Sequence, residues 1–236
     1  MGFMSSRHKG KFGPFAALLA AQILFITLVP FVDRSDSGDQ LQKFAFYAVM
    51  IVGIGVTRES RKILGPALLL LTTYFVVREF ADSVIGDEKL AHLIRGLLGA
   101  AYLGYLTIAL MRTLSRRTDT TTDVVLGGIN IYLLFALIFM LLHLSVEEWE
   151  PGSYMRAGLA MSDPDNLQYG NLRTSMFYFS FSTLTTLGYG DIAPARPIAQ
   201  FICSAQAVIG QLYVAISIGG LVAMRVNAMH RQQSKE

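Results

Sequence analysis

Residues 182–191, Ser-Thr-Leu-Thr-Thr-Leu-Gly-Tyr-Gly-Asp, constrain the fold more than any other part of the chain. An ordinary strand points its carbonyl groups alternately left and right, so a strand that points successive carbonyls the same way needs residues with positive φ. Glycine adopts positive φ at no steric cost, and Gly188 and Gly190 occupy alternate positions. The pattern therefore predicts a row of carbonyl oxygens facing one way, which can replace the water that a dehydrated cation loses.

A short apolar segment, Leu172–Leu184, leads directly into this stretch. Its 13 residues are too few to cross a bilayer, which takes about 20 residues as a helix. Such a segment is tolerated at membrane depth where the surrounding protein buries it. We therefore predict a re-entrant helix followed by a carbonyl-lined strand, residues 186–190, which we call the filter segment. The Thr186 hydroxyl is expected at its inner end, and the Tyr189 ring is expected to turn outward as a packing spacer.

The stretch resembles the signature of potassium channels, commonly Thr-Val-Gly-Tyr-Gly, with Leu187 in place of the valine. The resemblance extends over about residues 124–224, and ten residues in register argue against a chance Gly-Tyr-Gly turn. It implies a set of residues whose oxygens bind K⁺: Thr186, Leu187, Gly188, Tyr189 and Gly190. It also implies a set that supports the filter segment: Tyr178, Ser182, Thr183, Thr185 and Asp191. Each chain carries one such strand and a closed carbonyl ring needs four, so the resemblance implies a homotetramer.

The chain departs from the family pattern behind the filter segment. Tyr178 and Phe179 stand where many members have two tryptophans, and Ser182 stands where some members carry a glutamate. A pair between that glutamate and Asp191 is therefore absent. Because a buried carboxylate needs polar partners, we predict a hydrogen bond from Tyr178 to Asp191 across the back of the filter segment.

The composition, 53% hydrophobic and 16% charged, indicates an integral membrane protein rather than a soluble domain. We predict an all-α membrane protein with six transmembrane helices and the one re-entrant helix. The six apolar runs are residues 12–32, 41–57, 63–77, 90–111, 124–146 and 197–224. The first four are expected to form a peripheral domain, residues 1–120, and the remainder a pore domain, residues 121–236.

The basic residues predict the orientation in the membrane. With the N-terminus inside, 12 of the 20 Lys and Arg residues fall on inner segments and 7 on outer segments, as the positive-inside rule requires. We therefore expect the protein in the plasma membrane, with both termini in the cytoplasm. We expect the cell to be prokaryotic. Because these charges lie beside apolar runs, they predict no nucleic-acid partner.

Enzyme chemistry has no candidate residues in this sequence. The histidines form no HExxH pattern, no nucleophile and base are paired, and no cofactor other than the permeant K⁺ is expected. The single cysteine, Cys203, excludes an internal disulfide, and its apolar surroundings predict a small residue in the core.

A voltage sensor needs arginines at every third position of its fourth helix, so that charge can cross the field. Here 16 uncharged residues separate Arg95 from Arg112, and Arg112, Arg116 and Arg117 lie together at the inner end. We therefore expect a potassium channel without steep voltage gating. A voltage-gated channel of the same fold is the nearest alternative. A cation transporter is a more distant one, since it would need several pore repeats in one chain.

Arg95 is a charge within an apolar run, which predicts that it extends to the membrane surface or pairs with Glu79 or Asp82. His143 and Glu147 are four residues apart on one helix face. We expect them at a solvated helix end, with sensing of external pH as the alternative.

Acidic residues near the predicted outer mouth are expected to concentrate cations weakly; they are Glu147, Glu148, Glu150, Asp163 and Asp165. Trp149 among them is expected to anchor the helix at the membrane interface. Gly210 lies twenty residues after Gly190, where the family has a gating hinge. Close helix packing is the alternative explanation for it. Gly219 and Gly220 are further hinge candidates.

Overall fold

The computed structural model describes residues 13–28, 36–57, 61–115, 122–165 and 171–233. These residues form seven helices: α1 (Pro14–Leu28), α2 (Asp36–Thr57), α3 (Arg61–Ile85), α4 (Glu88–Ser115), α5 (Thr122–Trp149), α6 (Leu172–Leu184) and α7 (Pro197–Gln233). Every predicted apolar run that falls on described residues is helical, and α6 has the predicted bounds. Both ends of the first run, residues 12 and 29–32, lie outside the described residues.

Among the described residues, four helices are long and apolar enough to cross a membrane. They are the spans Ile63–Ala81, Glu88–Ser115, Thr122–Trp149 and Pro197–Gly220. The apolar parts of α1 and α2, Phe15–Leu28 and Gln40–Gly55, are shorter. A mostly helical structure with four candidate membrane-spanning helices is therefore confirmed among the described residues, whereas the number of six transmembrane helices stays a prediction.

Helices α1 and α4 pack directly on α5, and α2 and α3 pack on these two helices and on each other. A Cβ atom at Gly96 of α4 would lie 1.8 Å from the Ser145 Oγ of α5 and would displace that hydroxyl, so the glycine favours this close approach. Gln22 of α1 donates to the Asn130 carbonyl of α5 at 3.3 Å. The buried apolar side chains consequently form one core that includes residues from Phe15 to Ala199. The division at residue 120 stays a prediction.

A small antiparallel sheet, which the sequence did not predict, lies at the end of α5. It contains β1 (Tyr154–Arg156), β2 (Leu159–Ala160) and β3 (Ala193–Pro194), in the order β2-β1-β3. Met155 pairs with both Ala160 and Ala193, so the sheet joins the loop after α5 to the chain that leaves the filter segment.

Candidate functional site

Hydrogen bonds cap helix α6 at both ends, and the C-terminal cap determines where the filter segment begins. Asn171 caps its N-terminus, with Oδ1 accepting from the Thr174 N–H at 2.7 Å. At the other end Thr185 donates its N–H to the Phe181 carbonyl. Met176, Phe177 and other apolar residues of the helix are buried. The 13-residue helix is therefore held in protein along its length, as expected of a re-entrant segment.

Every second residue of the filter segment has left-handed backbone. The φ angles are 57° at Thr186, 54° at Gly188 and 79° at Gly190, and the residues between them are not left-handed. This alternation is the one that a row of carbonyls facing one way requires. The two glycines were predicted to supply it. Thr186 was not, because a β-branched residue rarely adopts positive φ; such strain is typical of functional sites.

Hydrogen bonds from two helices, α6 and α7, hold the filter segment. Leu187 and Gly188 both donate their N–H groups to the Ser182 carbonyl, at 2.9 and 3.3 Å. The Thr186 hydroxyl accepts from Gln211 Nε2 of α7 at 3.2 Å and donates to the Thr185 carbonyl at 2.7 Å. Gln211 was missed by the sequence analysis, and its only signal was a polar residue beside Gly210 in an apolar helix.

The predicted hydrogen bond behind the filter segment is present: Tyr178 Oη donates to Asp191 Oδ1 at 3.0 Å. Partial burial raises the pKa of Tyr178, and the hydrogen bond to Asp191 raises it further, so the phenol stays protonated as a donor. A second partner, Arg156 Nη2 of β1, lies 4.0 Å from Asp191 Oδ2. The Asp191 side chain is 46% exposed in this subunit, so the assumption of a buried carboxylate was wrong. Tyr189 stacks on Tyr178, with 6.3 Å between ring centroids.

His143 and Glu147 are both fully buried, so the expectation of a solvated helix end was wrong. The loop after α5, including β1, folds back over this end of the helix and covers both residues. No sequence pattern predicted this burial, because the covering residues lie in the loop after α5, which is polar in composition.

His143 forms a hydrogen-bond chain that joins α5, β1, α6 and α7. Its Nδ1 lies 2.6 Å from Tyr154 Oη and its Nε2 lies 2.7 Å from Gln206 Oε1. The amide oxygen only accepts, so Nε2 carries the proton and Nδ1 accepts from Tyr154. Gln206 Nε2 then donates to the Ser180 carbonyl at 2.9 Å, and Ser180 Oγ donates to the Ala136 carbonyl at 2.7 Å. The chain fixes α6 between α5 and α7. We call these residues the closed polar cluster.

Glu147 accepts hydrogen bonds from the loop after α5 and does not face the predicted outer mouth. Its Oε1 accepts from Gly152 N, Ser162 N and Ser162 Oγ at 2.8–3.1 Å, and its Oε2 accepts from Tyr154 N at 2.9 Å. A buried carboxylate with these donors is well stabilised, so its predicted role of concentrating cations is wrong. Burial raises the pKa of Tyr154, which stays neutral.

The other acidic candidates occupy different surroundings. Glu150 is exposed and lies 3.5 Å from Arg196 Nε. Asp163 Oδ1 accepts from the Asp165 N–H at 2.9 Å. Glu148 faces a cavity beside His92, at 3.7 Å. These side chains do not converge on one mouth in the single subunit.

The remaining candidates are the three glycines of α7, Cys203 and Trp149. A Cβ atom at Gly210 would lie 2.6 Å from the Leu184 carbonyl oxygen, so this glycine allows α7 to contact the end of α6. Close packing therefore accounts for Gly210, while a hinge there stays a prediction. Gly219 and Gly220 are exposed and near no other atoms that a Cβ would meet. Cys203 is half-buried against the core, and Trp149 is 49% exposed at the end of α5.

Residues 128–226 match a family model described as an ion channel. The match includes most of α5, all of α6, the filter segment and most of α7. This part of the chain is therefore similar to ion channels, a family that is not a class of enzymes. No significant match was found among curated proteins or among solved structures.

Proposed function

We propose that the chain is one subunit of a homotetrameric channel that conducts K⁺ passively across the plasma membrane. The observation that carries the proposal is the alternating left-handed backbone at Thr186, Gly188 and Gly190. It directly follows a short buried helix, within the segment that matches ion channels. The carbonyls of residues 186–189 and the Thr186 hydroxyl are the proposed ligands for dehydrated K⁺.

The exposure of the filter segment supports a tetramer. Leu187 is 56% exposed and Tyr189 is 67% exposed in the single subunit. On α7, large apolar side chains such as Phe201 and Ile216 are about as exposed, at 70% and 71%. One chain can surround an ion on one side only. Four copies related by a closed rotation would complete the ring, and would leave the remaining apolar surface to neighbouring subunits and lipid.

The arrangement of α4 supports a channel without steep voltage gating. Moving one charge across the membrane is worth about 2.3 kcal/mol per 100 mV, and steep gating needs about 3–4 such charges per subunit. Arg95 lies at the start of α4 and Arg112 lies exposed near its end, with no charge between them. Neither crosses much of the field on a small shift of the helix. The four peripheral helices would then form a packed collar around the pore.

The proposed orientation has both termini on the inner side, as the basic residues predict. The filter segment then enters the membrane from outside. The sheet that joins β1 to β3 would lie at the outer mouth.

Flux measurements in liposomes test the proposal. Purified protein is reconstituted in vesicles loaded with K⁺ or with Na⁺, and uptake of a tracer cation is followed with and without an imposed potential. We expect uptake driven by a K⁺ gradient and little or none driven by a Na⁺ gradient. Equal uptake with the two ions would refute the selectivity, and uptake that needs an imposed potential would refute voltage independence.

A further inference from the structure

A second polar site lies among the peripheral helices, away from the filter segment. Its cavity has a volume of about 480 Å³ and is lined by residues from α1 to α6. The polar lining comes from the starts of α2, α4 and α6 and from the ends of α3 and α5. All of these lie at one end of the helix bundle, because consecutive helices alternate in direction. We call this the peripheral cavity.

The charges of the peripheral cavity are predominantly positive. Its acidic lining residues are Glu79 and Glu148, and its basic ones are Lys43, Arg78, Arg95 and Arg173, with His92 beside them. Among the described lining residues, two positive charges are therefore in excess when the histidine is neutral. Arg95 is part of this lining: its Nε and Nη2 atoms are buried rather than extended to the surface. The Asp82 side chain, its other expected partner, lies outside the described residues.

Arg78 is held in place by aromatic neighbours. Its guanidinium carbon lies 5.4 Å from the centre of the Tyr47 ring, and Tyr74 precedes it by one turn of α3. Both tyrosines also line the cavity. A guanidinium stacked on a ring loses less freedom when it binds an anion, and its planar fork matches the oxygens of a phosphate.

Gln42 provides evidence for a ligand that is independent of the charges of the cavity. It lines the same cavity and is only 1% exposed. Neither its Nε2 nor its Oε1 has a hydrogen-bond partner among the described residues. A buried amide without partners is costly, so most such groups in folded proteins are satisfied by something. Phosphate supplies oxygens for the amide N–H, and a protonated phosphate or a neighbouring hydroxyl supplies a donor for the amide oxygen.

We infer that the peripheral cavity binds a phosphate group, contributed by a lipid headgroup or by a small soluble phosphate compound. Excess positive charge, a pre-positioned arginine and an unpartnered buried amide all favour an anion with several acceptor oxygens. One wall is apolar, with Phe46, Met140 and Leu144, so it can take an acyl chain beside the phosphate. This site does not depend on the selectivity of the filter segment, because its occupancy is measured without ion flux.

The test measures the unfolding midpoint of purified, delipidated protein at constant ionic strength. The probes are inorganic phosphate, sn-glycerol 3-phosphate, and phosphatidylglycerol set against phosphatidylcholine in the same micelles. We expect at least one phosphate probe to raise the midpoint with a saturable dependence on concentration. Stabilisation by the soluble probes assigns the site to a soluble phosphate. Stabilisation by phosphatidylglycerol alone assigns it to a lipid.

Two pairs of variants connect that binding to the cavity. Arg78→Gln should weaken phosphate binding on the order of tenfold or more, whereas Arg112→Gln, at the exposed end of α4, should bind as the unmodified protein does. Gln42→Leu should also weaken binding while leaving the unliganded protein as stable or more stable. Gln22→Leu, an equally buried glutamine that bonds to Asn130, should lower stability and leave binding unchanged.

Two results would overturn the inference. One is a midpoint that none of the three probes raises in the unmodified protein. The other is stabilisation that survives unchanged in both Arg78→Gln and Gln42→Leu, since the phosphate would then be bound elsewhere. Because Gln42→Leu removes an unpartnered amide, loss of folding does not obscure the outcome.

Discussion

The closed polar cluster behind α6 and the peripheral cavity are both built from polar side chains inside an apolar bundle, but their hydrogen bonding differs. In the cluster, the Gln206 amide bonds to His143 and to Ser180 at 2.7–2.9 Å. In the cavity, both atoms of the Gln42 amide lack partners among the described residues. A satisfied network rigidifies its surroundings, whereas an unsatisfied one is costly until something binds. The comparison indicates that the cluster fixes the filter segment in place and that the cavity receives a ligand.

The largest effect is expected on the filter segment that the closed cluster supports. Gly188→Ala places a Cβ on left-handed backbone, which costs about 1–2 kcal/mol, and it should abolish K⁺ flux by turning carbonyls out of the row. Gly158→Ala is the matched control. Its glycine has a φ of 83° in the turn between β1 and β2, and a Cβ there also meets no neighbour. It should cost similar stability and preserve flux, and a Gly188→Ala protein that conducts normally would contradict the filter assignment.

The next effect separates the two glutamines directly. Gln206→Leu leaves His143 Nε2–H and the Ser180 carbonyl without their partner, at a cost of about 1–3 kcal/mol for each group. Gln42→Leu removes an amide that has no partner, so the unliganded protein should be unchanged or more stable. Thermal unfolding of both proteins in the same detergent measures the difference. Equal destabilisation by both substitutions would contradict the difference between the two regions, namely that the Gln206 amide is hydrogen-bonded and the Gln42 amide is not.

How far the sequence predicts this structure depends on the range of each interaction. The bounds of α6 follow from the length of one apolar run, and the bond from Tyr178 to Asp191 was predicted from the resemblance to the potassium-channel signature. The burial of His143 and Glu147 follows from neither, because a loop with no apolar periodicity covers them. Strands of two or three residues carry no periodic signal either, so the small sheet was not predicted. Positive φ at Thr186 runs against the preference of threonine and is imposed by its neighbours, Ser182 and Gln211 among them.

A smaller effect tests the outer end of the filter segment. Tyr178→Phe removes the hydrogen bond to Asp191, worth about 1 kcal/mol, and should change the inactivation of the K⁺ current while the protein still folds. Tyr105→Phe removes a similar bond, from Oη to the Ile63 carbonyl at 2.9 Å, within the peripheral helices. Single-channel recordings should show altered closures for Tyr178→Phe alone. Identical gating in both variants would remove Tyr178 from the filter support.

The smallest effect is expected from the charge at the far end of α4. Arg112 is exposed there, and Arg112→Gln should change stability by no more than about 0.5 kcal/mol. Recordings across ±100 mV should show an open probability that depends weakly on voltage, equally in the variant and the unmodified protein. A steep activation curve that Arg112→Gln flattens would show that the peripheral helices sense voltage.

The reversal potential under bi-ionic conditions tests the central claim most directly. With K⁺ on one side of a bilayer and Na⁺ on the other, the current reports the ratio of the two permeabilities through the filter segment. We predict a large reversal potential with the sign expected for K⁺ permeability, because carbonyl oxygens of residues 186–189 replace the hydration shell of K⁺. A reversal potential near zero would mean that Na⁺ and K⁺ pass equally well, and it would contradict the assignment of this chain as a potassium channel subunit.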